Sequence, residues 1–503
     1  MHASVYLDTY NTVGEIDRRI LGGFLEHLGR AVYEGVYDPR NEHGLVDRNG
    51  FRTDVIEALR PLGMPVMRYP GGNFVSCYDW RDGIGPRDKR PVRRDFAWRT
   101  LESNQFGTDE FMQWCKQFGT EPMMAVNLGT AGAGEAAALL EYCNLETGSA
   151  WSDLRKTNGS ADPYNVKLWC LGNEMDGPWQ AGHVSAAVYG QRARAAGAMM
   201  KGMDPTIETI VCGSSALSMS TYLAYDREAL EIAWDSADYV SAHRYSDNSR
   251  NDSPWYLAEG VEIDRVLEDY AGLLNYLRGV KKSKKQVYVS FDEWNVWYRA
   301  RHGDDVDGHW THAPHLLEEW YNLEDALVCA QYLNAFVRRA DVVKVACIAQ
   351  IVNVIAPVMT RPQGLLFQTI YYPMAAFAEH LTVGARSITP VIDAPTYKAG
   401  VRGDVPVLDV SAAFDPATGA VSVFLVNRDH TAAVTTIRFG NRKPTAVSPV
   451  SQLTGNDLKA GNTWDAPDRV KPTGGSAVVD GEGVRVTVPA TGFVVVKIQT
   501  SAR

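Results

Sequence analysis

The sequence predicts an α/β fold, a (β/α)8 TIM barrel, followed by a C-terminal antiparallel β-sandwich of jelly-roll-like type. Short apolar runs and helical patterns alternate from about residue 20 to 380, the texture of a parallel sheet covered by helices. There are eight such units, and eight close naturally into a barrel; a doubly wound open sheet is the alternative. After about residue 385 helical periodicity stops, and Gly, Pro, Thr and Val dominate. The expected domains are therefore 18–384 for the barrel, and 385–503 with the N-terminal strand in 1–17 for the sandwich. At about 150 residues per domain, 503 residues accommodate both.

The expected strands, in order, are ILGGFLEHLG (20–29), PVMRYP (65–70), PMMAVNLG (122–129), VKLWCLGNE (166–174), TIVCGSS (209–215), DYVSAHRY (238–245), QVYVSFDEW (286–294) and VKVACIAQ (343–350). Helical patterns lie between them. From Thr53 to Gly63, Val55, Ile56, Leu59 and Leu62 share one face, and Gly63 is the stop. Phe111, Trp114, Cys115 and Phe118 repeat the pattern before Gly119, and Val266 to Leu277 sustain it over several turns. In the C-terminal region, VPVLDVSAAF (405–414), AVSVFLVN (420–427), TAAVTTIRF (431–439) and GVRVTVPA (483–490) alternate like strands between turn clusters. SVYLD (4–8) reads as a further strand that pairs into the sandwich.

Composition narrows the function. Fifty Lys and Arg against sixty Asp and Glu leave a net charge of −10, which disfavours nucleic acid and anionic membranes as partners. No apolar run reaches the roughly 18 residues of a membrane span. The seven cysteines are scattered without a C-x-x-C pair, and the first residues show no basic start leading into an apolar stretch. The expectation is a cytoplasmic protein with reduced thiols.

Three conspicuous features are read as structural. GTAGAG (129–134) sits where a phosphate loop would, but matches neither nucleotide-binding pattern, so a tight βα turn is expected. His302, His309, His312 and His315 with Asp304, Asp305 and Asp307 crowd one long loop. Without an H-e-x-x-H arrangement on a helix, a loop over the site is expected rather than a metal centre. Met199, Met200 and Met203 read as core filler of a barrel helix.

A barrel places its chemistry at the C-terminal ends of the strands. There the sequence puts Glu26 and His27, Arg68 to Asn73 with two glycines, Asn173 and Glu174, His243 to Tyr245, Asp292 to Trp294, and Gln350. Glu174 and Glu293 each close an apolar strand, on opposite sides of the barrel. Two carboxylates facing across a pocket suit glycoside cleavage, one protonated as acid and one ionised. A gap of roughly 5–5.5 Å implies retention and a wider one inversion.

The ordered set GGFLEHLGRAVYEGVYDP, MRYPGGNFVSCYDW, LWCLGNEMDGPWQ, HRY and DEWNVWY resembles the α-L-arabinofuranosidases of glycoside hydrolase family 51 over essentially the whole chain. The resemblance implies Glu174 as acid/base and Glu293 as nucleophile. It implies Glu26, Arg68, Asn73, Trp98, Asn173, His243, Tyr245, Trp297 and Gln350 as residues that bind the furanose or support the glutamates. Asn173 would donate to the sugar 2-hydroxyl, Tyr245 and Arg68 would serve Glu293, and Glu26 and Gln350 would grip remaining hydroxyls. Trp179 and the loop around Trp310 would shape the leaving-group side. The resemblance further implies arabinofuranosyl oligosaccharides as substrate, no metal or organic cofactor, and a homo-oligomer, with a hexamer favoured.

Overall fold

The computed structural model describes residues 1–301, 307–481 and 483–502. Eight parallel strands close into a barrel. They are β1 (Gly22–Phe24), β2 (Val66–Tyr69), β3 (Glu121–Val126), β4 (Leu168–Leu171), β5 (Glu208–Cys212), β6 (Tyr239–Ser246), β7 (Tyr288–Val296) and β8 (Val343–Ala349). Neighbours in sequence are neighbours in the barrel, and β8 pairs with β1. The closed barrel, not the open sheet, is therefore the fold. Most strands are shorter than the apolar runs that predict them, because their polar ends leave the ladder to enter loops. The helix beginning at Thr53 runs as Thr53–Leu59 and tightens into a 3-10 turn, Arg60–Leu62. The long amphipathic stretch forms Glu259–Val280.

GTAGAG is a tight turn. The Asn127 side-chain oxygen accepts from the backbone N–H groups of Gly129, Thr130 and Ala131 at 3.0–3.3 Å, and the helix Ala133–Asn144 follows. The methionine expectation needs correction. Met200 is fully buried but Met199 is 47% exposed, because adjacent residues on one helix cannot share a face. His302, Asp304 and Asp305 of the histidine-rich loop lie outside the described residues. Beyond them, residues 307–311 run beside the Arg93–Asp95/Thr100–Glu102 hairpin, with Gly308 N donating to Trp98 O and Trp310 N to Arg99 O.

Two sheets form the C-terminal part. One orders Val391–Asp393, His2–Leu7, Ala433–Phe439, Gly483–Val488 and Ala477–Asp480. The other includes Thr12–Glu15, Arg386–Ile388, Leu408–Phe414, Ala420–Asn427 and Gly492–Ala502. Val5, Leu7, Ile388, Val410, Val423, Val484 and Val496 fill the space between them. The sandwich departs from pure antiparallel pairing at one place, since His2–Leu7 runs parallel to Ala433–Phe439. These two strands come from opposite ends of the chain, so no hairpin dictates their direction.

The helix Leu323–Arg338 is buried almost all round because it lies between barrel and sandwich. Phe377 stacks on Phe424 across the same seam at 3.9 Å, and each such buried ring contributes about 1.5–3 kcal/mol. Asn334 and Arg338 reach Asp409, and Arg428 reaches Gln331.

Candidate active site

A cavity of about 620 Å³ opens at the C-terminal ends of the barrel strands. Glu26, Asn73, Trp98, Glu174, His243, Tyr245, Glu293, Trp297 and Gln350 line it, which brings together nine of the eleven residues singled out above. Arg68 and Asn173 do not line it. Both are 1% exposed and lie beneath the wall, where Arg68 donates to Glu293 Oε1 at 2.6 Å and to Asn173 Oδ1 at 2.7 Å. Arg68 thus holds Glu293 from beneath and does not face the cavity.

Glu174 leaves β4 through Gly172 (φ +94°) and itself takes φ +40°. This left-handed backbone costs a non-glycine residue about 1–2 kcal/mol. It turns the carboxylate into the cavity, where Trp179 Nε1 donates to Oε2 at 2.5 Å and His243 Nδ1 meets Oε1 at 2.9 Å. On β7, Asp292 and Glu293 are adjacent, and strict alternation would send them to opposite faces. A register shift between β6 and β7 falls between the pairs Ser241–Ser290 and His243–Glu293. Such a bulge re-aims side chains, and here both carboxylates reach the site. Asp292 holds His243 Nε2 at 2.9 Å and Ser241 Oγ at 2.6 Å. Tyr245 donates to Glu293 Oε2 at 2.9 Å and packs edge-on against Trp297.

One oxygen of Glu174, one of Glu293 and a nitrogen of His243 lie within 4.8 Å of one another. Burial works against a charged His243 ring, but Glu293, Asp292 and Glu174 around it push its pKa up to about 10. At neutral pH the ring is an imidazolium, donating to Glu174 on one side and Asp292 on the other. Burial alone would raise Asp292, yet Arg68 and His243 hold it below the usual carboxylate range. Burial and the nearby Glu293 push Glu26 up to about 8.

Glu26 anchors the opposite wall. Its Oε1 accepts from Phe74 N at 2.9 Å and Trp98 Nε1 at 3.0 Å, and its Oε2 accepts from Gln350 Nε2 at 3.2 Å. The backbone of Gly72 passes so close that a Cβ there would sit 2.3 Å from Glu26 Oε2, which explains the glycine. With a pKa near 8, Glu26 is neutral at pH 7 and has a proton to donate. Its folded value lies above the ordinary 4.5, so folding is penalised progressively as pH rises from about 4.5 to 8. Glu26→Gln removes that penalty. Its melting temperature is expected to exceed wild type by more at pH 9 than at pH 4; an equal difference at both pH values would contradict the neutral Glu26.

Two residues of this network escape a reading of strand ends. Gln180, 1% exposed, joins Asn173 Nδ2 at 3.3 Å and Ser76. Ser241 orients Asp292 from within β6.

Comparison with known proteins identifies the family. Residues 58–260 match the model of the α-L-arabinofuranosidase 1 domain, and residues 292–491 that of the α-L-arabinofuranosidase C-terminal domain. The chain is 42% identical over 485 residues, 96% of each chain, to intracellular exo-α-(1→5)-L-arabinofuranosidase 1 of Bacillus subtilis. The chain belongs to the family 51 α-L-arabinofuranosidases. A solved family 51 α-L-arabinofuranosidase from Bifidobacterium longum superposes with a TM-score of 0.94 at 36% identity, covering 99% of both chains. Another Bifidobacterium longum relative, an exo-α-(1→6)-L-arabinofuranosidase, is 42% identical over 97% of this chain and 95% of its own. As a family 51 member the chain is a glycoside hydrolase. No helix among the described residues is long and apolar enough to cross a membrane.

Proposed function

We propose that the chain is a retaining, exo-acting α-L-arabinofuranosidase that removes terminal non-reducing arabinofuranose from arabinoxylan- or arabinan-derived oligosaccharides. The observation that carries this reading is the approach of one oxygen of Glu174 and one of Glu293 to within 4.8 Å at the cavity. That spacing suits direct attack by a carboxylate, as at the roughly 5–5.5 Å of retaining enzymes rather than the roughly 6.5–9.5 Å of inverting ones.

In the first step an oxygen of Glu293 bonds to the anomeric carbon as the bond to the leaving oxygen breaks, and Glu174 gives its proton to that oxygen. In the second, water attacks the anomeric carbon, its proton passes to Glu174, and Glu293 is released. Arg68 and Tyr245 hold Glu293 by hydrogen bonds to its two oxygens and so aim it. His243 and the Trp179 N–H hold the two oxygens of Glu174 in place. Glu26, Asn73, Trp98 and Gln350 grip the furanose, and Trp297 backs Tyr245. Asn173, beneath the wall, accepts from Arg68 and donates to Gln180, and so supports Glu293 at one remove.

The intracellular naming of the Bacillus relative supports a cytoplasmic enzyme. A homo-oligomer, with a hexamer favoured, rests on the family resemblance. The test is hydrolysis of 4-nitrophenyl α-L-arabinofuranoside beside the arabinopyranoside, β-xyloside and β-glucoside. Preference for the furanoside is expected; preference for either β-glycoside would move the substrate.

A further inference from the structure

The cavity has two halves, and the furanose contacts proposed above occupy only one. Glu26, Asn73 and Gln350 come from β1, β2 and β8. The other half is built from the segments after β5, β6 and β7, where Ser215, Leu217, Asp247, Trp255 and Arg301 border the cavity. Glu174 and Glu293, at the ends of β4 and β7, stand where the halves meet. Among the described residues, Ser215 Oγ, Trp255 Nε1 and Arg301 Nε are buried donors without a hydrogen-bond partner. Buried donors left unmade are costly, and three bordering one hollow suit a polyhydroxylated ligand.

Trp255 is held from outside the barrel. The hairpin formed by Thr396–Lys398 and Asp404–Pro406 belongs to the C-terminal region and reaches back to the barrel rim. At its tip Arg402, with a side chain 3% exposed, lies 4.0 Å from the Trp255 ring and donates to Trp255 O. It also pairs with Glu259, which holds Arg244 and Ser246 on β6. Ala399 and Val405 pack on Ala258 in a small apolar cluster of their own, and Tyr397 donates to Pro254 O at 2.9 Å. Arg250 is a second guanidinium near the ring, at 5.1 Å. Glu259, 1% exposed, needs its cationic partners, because a buried carboxylate left without them is strongly destabilising.

We propose that Arg402 is a specificity-determining positioning residue, which fixes Trp255 and Arg244 as the wall of a subsite for the first sugar of the leaving group. The C-terminal domain would thereby set which saccharides are released. This rests on the arabinofuranosidase reading.

The test compares kcat/KM on α-1,5-linked arabinobiose with that on 4-nitrophenyl α-L-arabinofuranoside, whose leaving group has no sugar hydroxyls. In Arg402→Ala the ratio of the two is expected to fall about tenfold through KM of the disaccharide, with Arg402→Lys recovering part of it. Inhibition by free arabinose, which reports the furanose half, is expected to stay within twofold. An unchanged ratio, or equal losses on both substrates, would overturn the proposal. Should Arg402→Ala fail to fold, Arg402→Lys and Trp255→Leu are read by the same ratio and the same criterion. A wild-type enzyme inactive on both substrates would instead sink the arabinofuranosidase reading, a distinct result.

Discussion

Glu293→Ala is expected to reduce kcat by at least about 10⁴-fold on every arabinofuranoside, a loss on the scale seen when an enzyme's nucleophile is removed. The substitution leaves the anomeric carbon without an attacking group and strips Arg68 and Tyr245 of their shared acceptor. Azide can enter the space vacated by the carboxylate. It would attack from the face Glu293 normally uses, so the expected product from an activated furanoside is the β-configured glycosyl azide. Residual activity near the wild-type level, or an α-configured azide, would exclude Glu293 as nucleophile.

For Glu174→Ala the expected losses depend on the leaving group. Oligosaccharides need their leaving oxygen protonated, and their kcat/KM should fall by about 10²–10⁴-fold. With 4-nitrophenyl α-L-arabinofuranoside, kcat/KM should stay within about tenfold of wild type, because nitrophenolate departs without a proton. Its kcat should fall, since the second step has lost its base. Azide needs no base and should restore kcat, giving the α-configured azide. Equal losses on both substrates would remove Glu174 from the acid/base role.

Much of this site was legible because barrel strands are apolar until they end. Glu26, Asn173 with Glu174, His243 with Tyr245, and Gln350 each follow an apolar run, and polarity at that place has few structural uses. The close glycine at Gly72 was legible for the same reason. What stayed hidden depends on register or on distant contacts. Asp292 is visible at its strand end, but that it and Glu293 both reach the site depends on the bulge between β6 and β7, of which alternation gives no sign. The placement of Arg68 beneath the cavity depends on side-chain packing that no strand pattern encodes. Gln180 and Arg402 act from a loop and from another domain, 7 and 143 positions from the partners they hold. The parallel pairing of His2–Leu7 was hidden too, since a chain terminus can enter a sheet in either direction.

The central claim is that two glutamates less than 5 Å apart carry out two successive displacements. Proton NMR of the reaction of wild-type enzyme with 4-nitrophenyl α-L-arabinofuranoside tests it most directly, by following the anomeric signals before mutarotation. The α-furanose is expected to appear first, with the β-anomer growing in only as the free sugar equilibrates. First appearance of the β-furanose would mean a single displacement by water, and would contradict a covalent intermediate on Glu293.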